Sequence, residues 1–201
     1  MIIGCLISGR GSNLAAILRA IEGGTLKASI AVVLSNRADA AGLGVAAACG
    51  IPTRTLSQLD HSSREDFDRA LVQELRIHAV DTVVLAGFDR LVTPVLLGAF
   101  PHRVVNIHPA LLPAFPGLHA QRQALEHGAR ITGVTVHLVD EQIDHGPSLG
   151  QAAVLVEEED TEATLAARIL EEEHRLFPAI LQRLAEGQIA IDGRRVKGGL
   201  P

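Results

Sequence analysis

The N-terminal segment combines features that restrict the chain to a small set of folds. Ile2–Ile7 is an uninterrupted apolar run, residues 8–13 are rich in glycine, and apolar residues then recur at helical spacing from residue 14 to residue 21. A strand without polar alternation is typical of a parallel sheet, where both faces of the strand are covered. The order strand, glycine-rich turn, helix therefore predicts an α/β fold.

The same alternation continues along the chain. Further strands are predicted at residues 31–34, 80–86, 103–107, 132–138 and 151–156, with a short extended piece at 51–53. Helices are predicted at 38–49, at 62–78, from Thr93-Pro94 onward, after Gly117 to about Gly128, and from Asp160 or Thr161 to about Glu186. Residues 188–196 predict a hairpin that turns at Asp192-Gly193. We expect a doubly wound, mostly parallel sheet in one domain, residues 1–201.

Charge and composition exclude several function classes. The 201 residues carry 18 Lys and Arg against 23 Asp and Glu, a formal net charge of −5. Proteins that bind nucleic acid or anionic membranes generally need a basic surface, so no such partner is expected. No apolar run approaches the roughly 18 residues of a membrane span, and the two Cys residues make no disulfide framework. These features predict a cytoplasmic protein and leave a monomer and a homodimer open. No His-x-x-x-His pair falls on a predicted helix, so no metal is predicted.

The glycine-rich turn is the first candidate binding site. Its glycines let the backbone approach an anion, and the start of the following helix offers N–H groups and the positive end of the helix dipole. The turn matches neither the dinucleotide pattern nor the nucleoside-triphosphate loop. It therefore predicts a site for one phosphate, as in a phosphoribosyl compound. The alternative is a plain turn with Ser12 as the helix cap.

Asn106 and His108 are candidate catalytic residues. They lie two positions apart at the end of a predicted strand, so they are expected to point to the same side, at the sheet edge where ligands bind. An amide donor and an imidazole that titrates near neutrality suit a carbonyl whose oxygen becomes negative during attack. The alternative is a strand-end histidine that is satisfied by a backbone carbonyl.

Two carboxylates complete the candidate residues. Asp144 lies in a loop braced by Gly146 and Pro147, and an Asp beside an imidazole favours its charged form and fixes its orientation. An ordinary turn Asp is the alternative, because spacing does not show whether Asp144 meets His108. Glu173 is in line with the apolar stripe of the final helix, where a carboxylate needs a partner. It either accepts hydrogen bonds from ligand hydroxyls, such as those of ribose, or reaches solvent at the edge of the stripe.

Taken together, these segments resemble the phosphoribosylglycinamide formyltransferases, the folate-dependent formyltransferases of purine synthesis. The similarity rests on Asn106-Ile107-His108-Pro109-Ala110-Leu111-Leu112-Pro113 and on Phe115-Pro116-Gly117-Leu118-His119. It extends to residues 8–13, 85–88, 133–137 and 144–147, and to Glu173-His174 with Phe177-Pro178. The resemblance covers nearly the whole chain. It implies a Rossmann-like formyltransferase fold, with a phosphate-binding half at about residues 1–100 and a folate-binding and catalytic half at about 101–201.

The resemblance implies an enzyme that transfers the formyl group of 10-formyltetrahydrofolate to the amine of glycinamide ribonucleotide, without a metal. The amine attacks directly, Asn106 and protonated His108 hold the oxyanion, and Asp144 orients His108 and aids proton transfer. The implied ribonucleotide contacts are Gly11, Ser12, Asn13 and Glu173. The implied folate contacts are Arg64, Phe88, Asp89, Arg90, Leu91, Val92, Asp140 and Ile143, with His119 and His137 as supporting residues.

Asp89 departs from the family pattern. Family members commonly carry an apolar residue at this position, within Phe88-Asp89-Arg90. We expect the backbone of this segment still to contact the folate, whereas a contact from the Asp89 side chain is open.

Other functions share parts of this pattern. A formyltetrahydrofolate hydrolase has the same core but typically an additional N-terminal regulatory domain, whereas this chain begins directly with the first strand. A tRNA-linked formyltransferase is expected to have an added C-terminal RNA-binding domain and an Arg near the position of Pro116. A non-catalytic nucleotide- or folate-binding module would keep the glycine-rich turn but would not need Asn106, His108 and Asp144 together.

Overall fold

Strands and helices alternate along the chain in the computed structural model, which describes residues 1–200. The strands are β1 (Ile2–Ile7), β2 (Ser29–Ser35), β3 (Thr53–Thr55), β4 (Thr82–Leu85), β5 (Val104–His108), β6 (Ile131–Leu138), β7 (Ser148–Leu155), β8 (Ala190–Asp192) and β9 (Arg195–Lys197). The α-helices are α1 (Ser12–Glu22), α2 (Ala41–Ala48), α3 (Arg64–Ile77), α4 (Pro94–Ala99), α5 (Ala120–Glu126) and α6 (Glu162–Ala185). The chain divides into two units, Met1–Asn106 and a second unit that begins at Ile107.

In the first unit the strands are parallel and run in the order β3-β2-β1-β4-β5. β1 is the middle strand, and every residue after Ile2 in it is buried. Ile3, Leu6 and Ile7 have no exposed surface, which is the environment that the uninterrupted apolar run predicts. Burial also raises the pKa of the Cys5 thiol to about 12, so this cysteine stays protonated.

In the second unit, β6 and β7 form an antiparallel pair that begins at Ile131 opposite Leu155. α6 packs on both strands. Its apolar stripe is buried because Leu165, Ile169 and Phe177 recur at helical spacing toward the strands. The helix begins with a capping box between Thr161 and Thr164, which satisfies the first N–H groups of the helix.

The prediction of an α/β fold with a mostly parallel sheet is confirmed, and the differences are local. The strand predicted at 103–107 extends through His108. The C-terminal hairpin is present, but its two-residue loop is Gly193-Arg194, because Asp192 pairs with Arg195. A 3-10 helix at Gln58–Asp60 was not predicted. Among the described residues, no helix is both long and apolar enough to cross a membrane.

Candidate active site

His108 and Asp144 lie side by side in the second unit. Nδ1 of His108 is 3.3 Å from Oδ2 of Asp144, and both side chains are largely buried. His108 is the last residue of β5, whereas Asp144 stands in the loop that joins β6 to β7, with a left-handed backbone (φ 48°). Asp is one of the few residues other than glycine that adopt this conformation readily, so the residue type suits this position in the loop.

The other imidazole nitrogen of His108 is also occupied. Nε2 lies 2.8 Å from the carbonyl oxygen of Phe115, so Nε2–H is the donor in this hydrogen bond. A neutral ring carries one N–H and satisfies one of the two facing oxygens, whereas an imidazolium satisfies both. The segment after His108 therefore covers a candidate catalytic position, since any ligand oxygen that bonds Nε2 must replace the Phe115 carbonyl.

The protonation of His108 is set by two opposing influences. Burial lowers the pKa of His108, and it outweighs the Asp144 carboxylate and the Phe115 carbonyl, which raise it. The net pKa lies below the ordinary value of 6.5. Burial therefore favours the neutral ring at neutral pH, and the protonated His108 expected for the oxyanion intermediate stays a prediction.

Asp144 is held ionised by its surroundings. Its Oδ2 accepts a hydrogen bond from the N–H of Gly117 at 2.8 Å, and its Oδ1 is 3.6 Å from Nε2 of His137. Burial raises the pKa of the Asp144 carboxyl, but the bonds from His137 and Gly117 and the charge of His108 lower it, and the net direction is downward. The pair therefore combines an ionised carboxylate with an imidazole whose pKa is lowered by burial.

The segment that follows His108 is anchored to the β6-β7 pair. The Thr135 hydroxyl donates to the carbonyl of Ala110 at 2.7 Å and accepts the N–H of Leu112 at 3.0 Å. The Gln151 amide donates to the carbonyl of Leu112 at 2.9 Å. These buried and partly buried bonds fix the start of the loop that carries Phe115 and leave its later residues more exposed.

The glycine-rich turn lies in the first unit, between β1 and α1. Gly11 has a φ of 75°, and a Cβ on it would lie 2.6 Å from the Cα of Gly42. The N–H of Gly42 donates to the carbonyl of Gly9 at 3.0 Å, so the turn packs directly on the start of α2. Ser12 is the first residue of α1 and not its cap. Within the described residues no side chain caps this helix, so its first turn keeps the polarity that suits an anion.

Two of the predicted folate-binding segments meet in the first unit. The guanidinium of Arg64, at the start of α3, donates to the carbonyl of Leu91 at 3.2 Å. Within the segment 88–92, the Leu91 side chain is 51% exposed although it is apolar, whereas Val92 is buried. Phe88 is half-buried and Arg90 is exposed. An apolar side chain beside a fixed cation suits a ligand with an aromatic body and an anionic end.

Asp89 belongs to a hydrogen-bond network at the carboxyl ends of β1, β2 and β4. Its Oδ1 accepts hydrogen bonds from the Asn36 amide at 2.8 Å and from the Ser8 hydroxyl at 3.0 Å. Its own N–H donates to the Ser8 hydroxyl at 2.9 Å. Ser8 and Asn36 are only 6% and 5% exposed. The carboxylate that departs from the family pattern thus serves as acceptor for buried polar side chains.

The remaining candidates are placed as follows. Asn106 is half-buried and precedes His108 by two positions on β5, so the two share one side of the strand. Glu173 is only 8% exposed on α6, which rules out the alternative that it reaches solvent at the edge of the stripe. Of the two supporting histidines, His137 contacts Asp144, whereas His119 lies 3.8 Å from Glu162.

The loop 140–147 also carries the predicted folate contacts of the second unit. Asp140 is half-buried, and its Oδ1 accepts the N–H of Gln142 at 2.9 Å. Ile143 is apolar and 53% exposed next to Asp144. An exposed apolar side chain beside a fixed carboxylate is typical of a ligand-binding edge.

Sequence reasoning missed the two backbone groups on the catalytic pair. These are the carbonyl of Phe115 and the N–H of Gly117. Backbone groups have no side-chain signature, and only the clustering of Pro113, Pro116 and Gly117 indicated a shaped loop. Within residues 1–200, no group of three or more His, Cys, Asp or Glu side chains is arranged to hold a metal ion.

A parallel α/β sheet with a buried His–Asp pair at a strand end defines a class of enzymes that move protons and stabilise charge during group transfer. Residues 1–181 match the family model of the formyl transferases, and the chain belongs to this family. The family predicted from the sequence is thereby confirmed.

Named relatives cover almost the whole chain. Phosphoribosylglycinamide formyltransferase of Escherichia coli (strain K12) is 42% identical over 198 residues, which is 95% of this chain and 93% of that protein. The protein of the same name from Bacillus subtilis (strain 168) is 37% identical over 177 residues, 88% of this chain and 91% of that protein. The crystal structure of glycinamide ribonucleotide transformylase 1 from Symbiobacterium toebii has a TM-score of 0.97 at 50% identity and covers 100% of this chain and 94% of that one.

Proposed function

We propose that this formyl transferase moves the formyl group of 10-formyltetrahydrofolate to the amine of glycinamide ribonucleotide. The observation that carries the proposal is the 3.3 Å approach of His108 to Asp144, in a chain that matches two named enzymes of this activity over nearly their full length. The reaction needs a donor for a developing oxyanion and a route for one proton, and the pair supplies both. No metal or covalent intermediate enters the proposed mechanism.

The chemical step is a direct attack. The neutral amine of the ribonucleotide forms a bond to the formyl carbon, and the carbonyl electron pair moves to oxygen to give a tetrahedral oxyanion. The amide of Asn106 and an N–H of His108 donate hydrogen bonds to this oxygen. When the electron pair returns, the bond from carbon to folate N10 breaks, and the proton lost by the attacking nitrogen is delivered to N10.

The protonation states that this mechanism requires of His108 fit the surroundings of its ring. Before substrate binds, burial keeps the pKa of His108 below its ordinary value, so the ring is mainly neutral near pH 7. A negative oxygen next to the ring adds to the attraction of Asp144 for a positive ring, so the imidazolium is favoured as the intermediate forms. Asp144 keeps the ring oriented and can pass the proton through a water.

The Phe115 carbonyl has a defined place in this mechanism. It accepts the Nε2–H of His108 at 2.8 Å in the absence of substrate. When the loop carrying Phe115 withdraws, the formyl oxygen replaces the Phe115 carbonyl as the acceptor of this bond. Because the buried N–H of His108 keeps an acceptor throughout, the exchange costs little free energy.

The ribonucleotide is proposed to contact the glycine-rich turn and α6. The phosphate accepts N–H groups of Gly11, Ser12 and Asn13 at the start of α1, where no side chain caps the helix. The buried carboxylate of Glu173 is proposed to accept hydrogen bonds from the ribose hydroxyls.

The folate is proposed to contact two loops. The segment 88–92 offers Phe88, the backbone of Asp89, Arg90 and the exposed Leu91, next to Arg64. Val92, the last residue of this segment, is buried. In the loop after β6, Asp140 and Ile143 contact the folate beside Asp144, and His137 supports that carboxylate. His119 is proposed to support the loop between β5 and α5 from its position beside Glu162.

The test is whether folate turnover depends on the amine. Purified full-length protein is given 10-formyltetrahydrofolate with and without glycinamide ribonucleotide, and both formylated ribonucleotide and free formate are measured. Formylated ribonucleotide that appears only with the amine present supports the proposal. Release of formate without the amine would instead identify a hydrolase, and binding without turnover a non-catalytic module; either result overturns the proposal.

A further inference from the structure

The C-terminal hairpin has no role in the mechanism above, yet it reaches the loop that carries Asp144. Nη1 of Arg194, in the two-residue loop of the hairpin, lies 3.2 Å from Nδ1 and 3.1 Å from Nε2 of His145. Nδ1 of His145 is in turn 2.7 Å from Oδ2 of Asp140. These three charged or titratable side chains, Asp140, His145 and Arg194, form a cluster at the base of the loop 140–147.

The distances define how Arg194 meets His145. If Nη1 of Arg194 lay in the plane of the imidazole at these distances from Nδ1 and Nε2, it would overlap with a carbon of the ring, such as Cε1 between the two nitrogens. The guanidinium nitrogen therefore lies over the face of the ring, as a cation does on an aromatic surface. This arrangement leaves the ring edge free for Asp140, so that Nδ1–H donates to the carboxylate while the guanidinium covers the ring.

The cluster contributes residues on both sides of Asp144 in the sequence, Asp140 before it and His145 after it. Asp140 bonds to the N–H of Gln142 through Oδ1 and to His145 through Oδ2, so both of its oxygens are used within the loop. His145 follows Asp144 directly, and Asp144 holds the left-handed backbone (φ 48°). The orientation of His145 therefore fixes the backbone from which the Asp144 carboxylate points toward His108.

The hairpin itself is fixed to the rigid part of the second unit. The guanidinium of Arg183, on α6, donates to the carbonyl of Gly198 at 2.9 Å, and the N–H of Leu200 donates to the carbonyl of Leu149 at 3.1 Å. Gly150 and Leu200 form a parallel bridge beside β7. Arg194 is thus carried by a segment that is held to both α6 and β7.

We propose that Arg194 and His145 are positioning residues, which hold the loop 140–147 so that Asp144 and the proposed folate contacts keep their places. The expected benefit for catalysis rests on the proposed function. The mechanical claim, that the hairpin restrains the loop, does not.

The experiment compares Arg194→Met with Arg195→Met in the full-length protein. Both variants lose one positive charge on the same hairpin, and both side chains are exposed. Within residues 1–200, the Arg195 side chain makes no hydrogen bond or ion pair, whereas Arg194 contacts His145, so Arg195→Met is the matched control. The two readouts are amide hydrogen exchange of residues 140–147 and the KM values of the two substrates.

Arg194→Met is expected to speed amide exchange in residues 140–147, to leave exchange in β1 unchanged, and to raise the KM for formyl-folate about two- to five-fold, the size of a partly exposed ionic contact. The KM for the ribonucleotide should stay unchanged, whereas a general loss of folded protein would lower kcat and leave both KM values as they were. Arg194→Met combined with His145→Gln should be no worse than either single variant, because the two residues act through one contact.

Equal exchange of residues 140–147 in Arg194→Met, Arg195→Met and the unmodified protein would overturn the proposal. So would fully additive effects in the double variant. If the protein proves not to formylate the ribonucleotide, the exchange measurement still decides whether the hairpin restrains the loop, so the two proposals fail separately.

Discussion

Gly146 offers a sharp test of the loop that positions Asp144. A Cβ at Gly146 would lie 1.9 Å from the carbonyl oxygen of Leu138, the last residue of β6. Leu138 cannot move away easily, because it belongs to a strand and its N–H donates to the carbonyl of Pro147 at 3.0 Å. An alanine at position 146 therefore forces the loop itself to shift.

The size of this shift follows from the distance. Ordinary contact begins near 3.4 Å, so the backbone at residue 146 must move by about 1.5 Å from the 1.9 Å position. Asp144 is two residues away, and its Oδ2 is only 3.3 Å from Nδ1 of His108. A misplacement of about 1 Å in a catalytic group can cost roughly 100-fold in rate, so Gly146→Ala should lower kcat by about that factor.

The assay is steady-state formyl transfer, combined with thermal unfolding to show that the variant is folded. Gly44→Ala is the control, because within residues 1–200 a Cβ there meets no atom within 4 Å outside its chain neighbours and the nearby backbone of its own helix, and alanine favours a helix interior. We expect the control to be as active as the unmodified protein and at least as stable. A folded Gly146→Ala enzyme that keeps its kcat within about three-fold of the unmodified protein would refute the reasoning.

Three further predictions concern single side chains. Burial holds the pKa of His108 in the folded protein below 6.5. The buried neutral ring therefore contributes to the free energy of unfolding at pH values above the pKa that His108 has in the unfolded chain, and this contribution is lost as the pH falls below that pKa. Urea unfolding should therefore show a smaller loss of stability for His108→Gln than for the unmodified protein between about pH 6.5 and pH 5, and equal losses would contradict the assigned burial. Asp144→Asn should lower the pKa of His108 further, seen by NMR of the ring, because the carboxylate supports the charged form; an unchanged or higher value would show that the carboxylate does not act on the ring. Asp89→Leu should cost about 1–3 kcal/mol in urea unfolding, since it removes the acceptor that lies 2.8 Å from the Asn36 amide and leaves that amide only the longer 3.3 Å contact with Gln58. Asp89→Asn should cost less, because its amide oxygen still accepts. Equal stabilities of the two Asp89 variants would contradict this account of the network.

Most strands and helices could be predicted, because apolar residues recur with a different spacing in an element buried on two faces than in an element buried on one face. The run Ile2–Ile7 is apolar throughout and forms the middle parallel strand, whereas α6 shows its core-facing stripe at every third or fourth position. The predicted end of β5 was one residue too early, because Pro109 indicates that the strand stops but does not show which residue is the last one in the strand. The hairpin loop was misplaced by one residue because both Asp192-Gly193 and Gly193-Arg194 contain the required glycine.

The side chains of the candidate site could be predicted from the sequence, but the contacts between them could not. Asn106 and His108 share a strand, so their common side follows from alternation alone. The meeting of His108 with Asp144 depends on two loops whose paths are set by tertiary packing, and the family resemblance supplied what spacing lacked. The lowered pKa of His108 could not be predicted, because the nearby carboxylate is visible in the sequence, whereas the depth of burial is not.

His108→Ala tests the central claim most directly, because it removes the ring without touching the glycine-rich turn. The measurement is the rate of formyl transfer at saturating substrates, together with calorimetric binding of the ribonucleotide. The account predicts a fall in kcat of about 100-fold or more, with ribonucleotide affinity close to that of the unmodified protein. Near-normal turnover by a folded His108→Ala protein would contradict it.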